Sequence, residues 1–294
     1  MAIKESFSRK LFVGINSSFL VFLAMLTLFP FVNVIAGSFA TSLEMLQRPF
    51  MLFPRNPTIL SYRYILSTPT FVRSIMTTAY VAFVGTLINI TMTYLMAYPL
   101  SYKRLTGRKI YMNLIVFTML FSGGMIPGYL NIKQLGLIDS LWALMLPGAI
   151  STSSLIILKN FIQQIPDELK EAARIDGASE LFILARIIVP LSLPVLATLS
   201  LFYAVGHWNS FFNCLLLIND PKKWTIQVLL RQIIMQAAGI GDSESMRGEG
   251  ARVILPTEGV RNACIIVATM PILLVYPFLQ KYFAKGALLG SIKG

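Results

Sequence analysis

No lysine, arginine, aspartate or glutamate occurs between Leu11 and Leu43. A run of that length is hard to house in a water-soluble fold, and it exceeds the roughly 17–25 residues a helix needs to cross a bilayer. Charge-poor windows recur along the chain. With the first, near 11–37, they lie near 72–101, 110–131, 139–159, 188–218 and 261–281. Of 294 residues, 55% are hydrophobic and only 13% charged, against about 25% charged in soluble domains. The expectation is an all-α membrane protein: a single transmembrane domain, 1–294, of six transmembrane helices.

Lys4, Arg9 and Lys10 ahead of an apolar run have the form of a secretory signal. The run is longer than the roughly 7–15 residues of a signal core, and no small-x-small cleavage site follows. It is read as a retained first span. Six spans put both termini on one side. Lysine and arginine number 14 on that side and 11 on the other, which scarcely discriminates. Density does. Lys103, Arg104, Arg108 and Lys109 crowd one short loop, and Arg9 and Lys10 abut span one. Short loops obey the positive-inside rule and long ones do not. The expectation is a multi-pass protein of a plasma (inner) membrane with both termini cytoplasmic.

The net charge of +12 fits basic residues held at an anionic lipid surface, and no nucleic acid is expected as a partner. Cys214 and Cys264 lie in apolar stretches and read as small buried hydrophobes. His207 is the only histidine, so no histidine-based metal site is expected. No residue is assigned catalytic chemistry: Asp176 and Glu180 stand as isolated acids.

The loop 162–188 is the most informative segment. It contains Pro166-Asp-Glu-Leu-Lys-Glu-Ala-Ala-Arg-Ile-Asp-Gly177-Ala178. Proline suits a first helical turn, and Asp167 and Glu168 complement the positive end of a helix dipole. Leu169, Ala172 and Ala173 form one low face. Gly177 stands where helices end in a left-handed residue. A second amphipathic stretch, 178–188, leads to Pro190. The product is a short helix, a glycine corner and a second helix, with Glu171 and Arg174 available for charged contacts at the rim. An interfacial amphipathic helix without a partner is the plainer alternative.

The pattern Glu171-Ala172-Ala173, then Gly177, then Ile187 and Val189-Pro190 resembles the EAA motif of ABC importer permeases. Val189 stands where leucine is usual. The resemblance extends over nearly the whole chain and is nearest the carbohydrate uptake type-1 family, in the shorter, six-span subunit of the maltose-permease type. Phe121-Ser-Gly-Gly-Met-Ile-Pro127 and the tail Gly290–Gly294 are similar to the subgroup serving multiple-sugar and polysaccharide-derived oligosaccharide systems. The resemblance implies a type I ABC importer permease fold. It makes Glu171, Ala172, Ala173, Arg174, Asp176, Gly177 and Ala178 the coupling element that seats in a cytoplasmic ATPase. It also implies two separate ATPase subunits binding ATP and Mg, a homologous second permease forming a heterodimer, and an extracytoplasmic solute-binding protein. The chain has no G-x-x-x-x-G-K-[ST] loop, so no nucleotide cofactor is expected on it.

The cargo is less legible. His207-Trp208-Asn209-Ser210 resembles the Trp-Asn stretch of span five in these permeases. Trp208 could stack on a sugar ring and Asn209 could serve hydroxyls, with Tyr203 and His207 as further substrate-path candidates. Packing between helices is the competing reading. The loop 219–260 would face the binding protein. The outer loops carry 11 basic and 7 acidic residues, which suits an acidic, uronic-acid oligosaccharide or simply a soluble docking surface. An importer of another solute such as amino acids shares the coupling loop. A six-span channel would not need that loop, and a membrane enzyme would need polar residues that the spans lack.

Overall fold

The computed structural model describes residues 7–48, 50–237 and 258–291. Most of the glycine- and charge-bearing stretch of the 219–260 loop, 238–257, lies outside them, as do the last three residues of the tail. No strand occurs among the described residues. The helices in order are α1 Phe7–Ser38, α2 Ser42–Gln47, α3 Leu60–Ser67, α4 Pro69–Ser101, α5 Arg108–Leu120, α6 Met125–Gln134, α7 Trp142–Met145 and α8 Thr152–Ile162. They continue with α9 Asp167–Ile175, α10 Glu180–Ile183, α11 Val189–Leu191, α12 Leu193–Trp208, α13 Phe212–Leu217, α14 Ile226–Ala237 and α15 Glu258–Ser291.

Among the described residues three helices are long and apolar enough to cross a membrane, or up to five if each of two bent pairs counts as one crossing. The windows near 11–37 and 72–101 coincide with α1 and α4. The window near 110–131 is two helices, α5 and α6, bent by 113°. Ser122, Gly123 and Gly124 break it: Gly124 has φ +88°, and its amide donates to Ser122 Oγ at 3.2 Å. The window near 139–159 is not one helix but α7 and α8, parted by an unwound stretch from Pro147 to Ser151. The segment before Leu191 meets α12 at 82°, where Pro190 and Pro194 withhold backbone donors.

The chain divides into two compact units. Residues 1–69 and 230–269 form the first. In it, α1 exposes every described side chain from Ser8 to Val32, as an apolar helix solvated by lipid would. Glu44 is buried, and its carboxylate accepts the amides of Arg55 at 2.7 Å and Asn56 at 3.3 Å. Those amides hold its carboxyl below the usual range.

Residues 70–229 and 270–294 form the second unit. Its centre is α4, whose amphipathicity is inverted. Ser74, Thr78, Gly85, Asn89, Thr93 and Ala97 face inward, while Met76, Phe83, Leu87 and Leu95 are exposed. Small inward residues allow helices to approach closely, and inward polar groups are satisfied by neighbours. Thr78 Oγ1 accepts the amide of Ile226 at 2.8 Å, at the start of α14.

Candidate functional site

The loop 162–188 folds as its local signals dictate. Helix α9 opens after Pro166 with Asp167 and Glu168 in its first turn. It closes in a Schellman motif: Gly177 has φ +80°, its amide donates to Arg174 O at 3.0 Å, and the Ala178 amide donates to Ala173 O at 2.9 Å. Ser179 Oγ then accepts the Phe182 amide at 3.3 Å, which starts α10. The second expected helix is shorter than the 178–188 stretch. After α10 the chain runs as a π-helix from Leu184 to Ile188.

The low face differs from the expectation. Ala173 is buried with Ile162, Ile165 and Ile183 in the core, whereas Leu169 and Ala172 point outward. Burial follows Lys170 and Ala173, three residues apart, because the long lysine stem covers the core edge while its amine reaches Asp167 at 2.9 Å. Two large apolar side chains stand outward among charged ones: Ile175 is 86% exposed and Leu181 72%. Glu171, Asp176 and Gly177 are also exposed, and Ala178 is half-buried. A Cβ placed on Gly177 would meet no atom within 4 Å, so the corner is open.

Arg174 is bonded within the chain while 41% of its side chain stays exposed, and Glu180, expected to be an isolated acid, is its partner. Arg174 Nε donates to Glu180 Oε1 at 2.7 Å, and its Nη2 donates to the Tyr102 hydroxyl at 2.9 Å. The Tyr98 hydroxyl donates to Glu180 Oε2 at 2.8 Å. The Tyr102 hydroxyl lies 2.6 Å from that of Tyr98. Lys170 and Arg174 both lie over the Tyr102 ring, at 5.4 and 5.3 Å. The Arg174 hydrogen bond chiefly holds the Glu180 carboxyl below its usual range, and the two tyrosines add to this. Tyr98, Tyr102 and Glu180 escaped sequence reasoning. Their one signal is the i,i+4 tyrosine spacing at the end of a span.

The fifth-span candidates do not gather around one polar chamber. The Tyr203 hydroxyl pairs with Thr93 Oγ1 at 2.8 Å and accepts the Ser151 amide at 3.1 Å. His207 Nε2 lies 2.7 Å from Asn89 Oδ1. Asn89 Nδ2 in turn donates to the carbonyls of Gly148 at 2.7 Å and Ala149 at 3.1 Å. Asn89 and Tyr203 thereby satisfy the unwound stretch, as backbone at membrane depth requires. Trp208 is buried and lines an apolar cavity of about 430 Å³ with Phe83, Leu87 and Ile272. Asn209 is exposed at the end of α12 and accepts from Gln227 at 3.3 Å. Among the described residues no cluster of three or more His, Cys, Asp or Glu could hold a metal ion.

Residues 65–288 match the family described as binding-protein-dependent transport system inner membrane component. The chain belongs to that family. The permease is 51% identical to Protein LplC of Bacillus subtilis (strain 168) over 280 residues, 95% of this chain and 94% of that one. It is 50% identical over 285 residues to the polygalacturonan/rhamnogalacturonan transport system permease protein YtcP of the same organism, covering 97% and 99% of the two chains. Among solved structures, a chain of a bacterial ABC transporter involved in the import of the acidic polysaccharide alginate superposes with TM-score 0.87 at 30% identity, covering 96% of this chain and 100% of that one. The permease is thus a membrane transport subunit with a type I importer fold, not an enzyme.

Proposed function

We propose that this chain is one permease of an ATP-driven, binding-protein-dependent importer of acidic oligosaccharides. The observation that carries the reading is the open, apolar-faced corner at Gly177 on a chain that matches an importer permease over its length. Exposed Ala172, Ile175 and Leu181 around a glycine give another protein's backbone room to approach, and an exposed apolar patch of this kind suits an interface. Two ATPase subunits, binding ATP and Mg, would seat there and on a homologous second permease. A solute-binding protein would deliver the sugar to the opposite face.

In this reading both termini and the 162–188 loop are cytoplasmic, and the 219–260 loop is extracytoplasmic. The spans near 11–37, 72–101, 110–131, 139–159, 188–218 and 261–281 cross the bilayer, three of them as broken helices. The acidic class of cargo draws support from the transport named for two of the similar proteins and from the basic excess of the outer loops. Alternating access follows: ATPase closure draws the coupling corners together and turns the pore outward, and hydrolysis resets it.

The test uses the assembled complex in liposomes. Gly177→Leu is expected to lower binding-protein-stimulated ATP hydrolysis roughly tenfold, as loss of a central interface position does. Unchanged stimulation sinks the coupling reading. For the cargo, trigalacturonate is expected to be taken up in preference to maltotriose, and the reverse preference contradicts the acidic class. Trp208→Ala tests the substrate path: reduced uptake with intact assembly supports it, and lost assembly assigns Trp208 to packing.

A further inference from the structure

We propose that Tyr98, Tyr102 and Glu180 are positioning residues that hand displacement of the Gly177 corner to α4, and that α4 carries it to the pore wall. The inference rests on the reading of the corner as an ATPase seat. The corner's apolar attachments, Ala173 and Ile183, are non-directional, because hydrophobic contact resists sliding little. The polar cluster is directional. Arg174 on α9 and Glu180 on α10 grip each other across the glycine at 2.7 Å, so the two arms of the corner move as one piece. That piece is fastened to the end of α4 by three contacts: Tyr98 hydroxyl to Glu180 at 2.8 Å, Tyr102 hydroxyl to Glu180 at 3.1 Å, and Arg174 to the Tyr102 hydroxyl at 2.9 Å.

The end of α4 is itself braced. Gln163 Nε2 donates to Ser101 O at 3.0 Å, and Arg108 Nε donates to Leu100 O at 3.0 Å. These bonds satisfy carbonyls that a helix end otherwise leaves open, so a pull on the tyrosines is not lost in fraying. From there α4 is one continuous helix. Beyond the Tyr94 contact to Ser192, its polar hooks are Thr93 on Tyr203 and Asn89 on His207, both on α12. Tyr98 lies about 14 Å along the axis from Asn89, at 1.5 Å per residue. At Gly85 the His207 ring lies so close that a Cβ would stand 2.6 Å from Nε2. The two helices therefore have no slack there. A displacement entering at Tyr98 reaches α12 along one helix, in which Pro99 withholds a single backbone donor, with polar contacts at both ends.

The experiment uses the complete complex and a reporter that needs no cargo. Ser200→Cys lies on α12 in the wall of the cavity against α4. Maleimide labelling of that cysteine is measured with and without vanadate trapping, in which ATP has been hydrolysed and ADP with vanadate occupies the ATPase subunits. With the cluster intact, trapping is expected to change the labelling rate roughly fivefold. In the combined Tyr102→Phe and Glu180→Gln variant the change is expected to fall below about twofold while the complex still hydrolyses ATP; both sizes lie in the range of measured couplings. Tyr102→Phe alone removes one hydroxyl, keeps the ring, and decides the matter if the combined variant fails to assemble. An undiminished labelling response overturns the proposal. So does loss of the ATPase subunits from Tyr102→Phe, which would assign the cluster to shaping the docking surface. Gly177→Leu is run beside them. If it leaves the response intact, the seat reading fails. If it abolishes the response and the cluster variants do not, the linkage alone fails.

Discussion

Asn89 is 1% exposed and makes three hydrogen bonds, to Gly148 O, Ala149 O and His207. Asn89→Leu keeps the branching and heavy-atom count and leaves those partners unsatisfied. A net loss of about 1–3 kcal/mol is expected, read as a lower unfolding temperature in detergent. Glu180 carries a pH dependence. Its folded carboxyl sits below its usual value, so the clamp's contribution is full above that usual value and fades as pH falls through the lowered one. The pair is about half exposed, so solvent screening limits it to about 0–1 kcal/mol. Limited proteolysis at Asp176–Ser179 is expected to accelerate in that acidic window and to be fast throughout in Glu180→Gln. Neither residue was legible as functional. Asn89 is one polar residue in an apolar window, and Glu180 meets tyrosines 78 and 82 positions away.

Helix α9 was legible because its signals are local: Pro166, Asp167 and Glu168 start it and Gly177 ends it. The broken spans were not. A charge-free window reports that a segment avoids water, and it does not report helical continuity. The unwound 147–151 stretch persists because Asn89 and Tyr203, far away in sequence, satisfy its backbone. The partner of Arg174 was not legible, because Glu180 is brought to it only by the corner at Gly177. Gly177 makes the element testable on its own. Its φ of +80° costs an L-residue about 1–2 kcal/mol, less for asparagine. Gly177→Asn is therefore expected to melt nearer the parent than Gly177→Leu does, since the Cβ both introduce meets no atom within 4 Å.

At the scale of the molecule, large apolar side chains are exposed along α1 and on one side of α4, where a soluble protein would present polar ones. In α1, Phe22 is 62% exposed. Phe22→Lys is expected to oppose insertion by about 2.5–3.5 kcal/mol, read by protease protection in membranes. The family and fold were legible because the 162–188 motif and the six windows span the chain. The sugar path was not, since Tyr203 and His207 bond to neighbouring elements and Trp208 lines an apolar cavity. The most direct test of the coupling corner is maleimide labelling of Ile175→Cys in the assembled complex. Ile175 is 86% exposed in the chain by itself. Bound ATPase subunits are expected to slow labelling about tenfold, the equivalent of 1.4 kcal/mol. Equal rates with and without those subunits would contradict the corner's role as their seat.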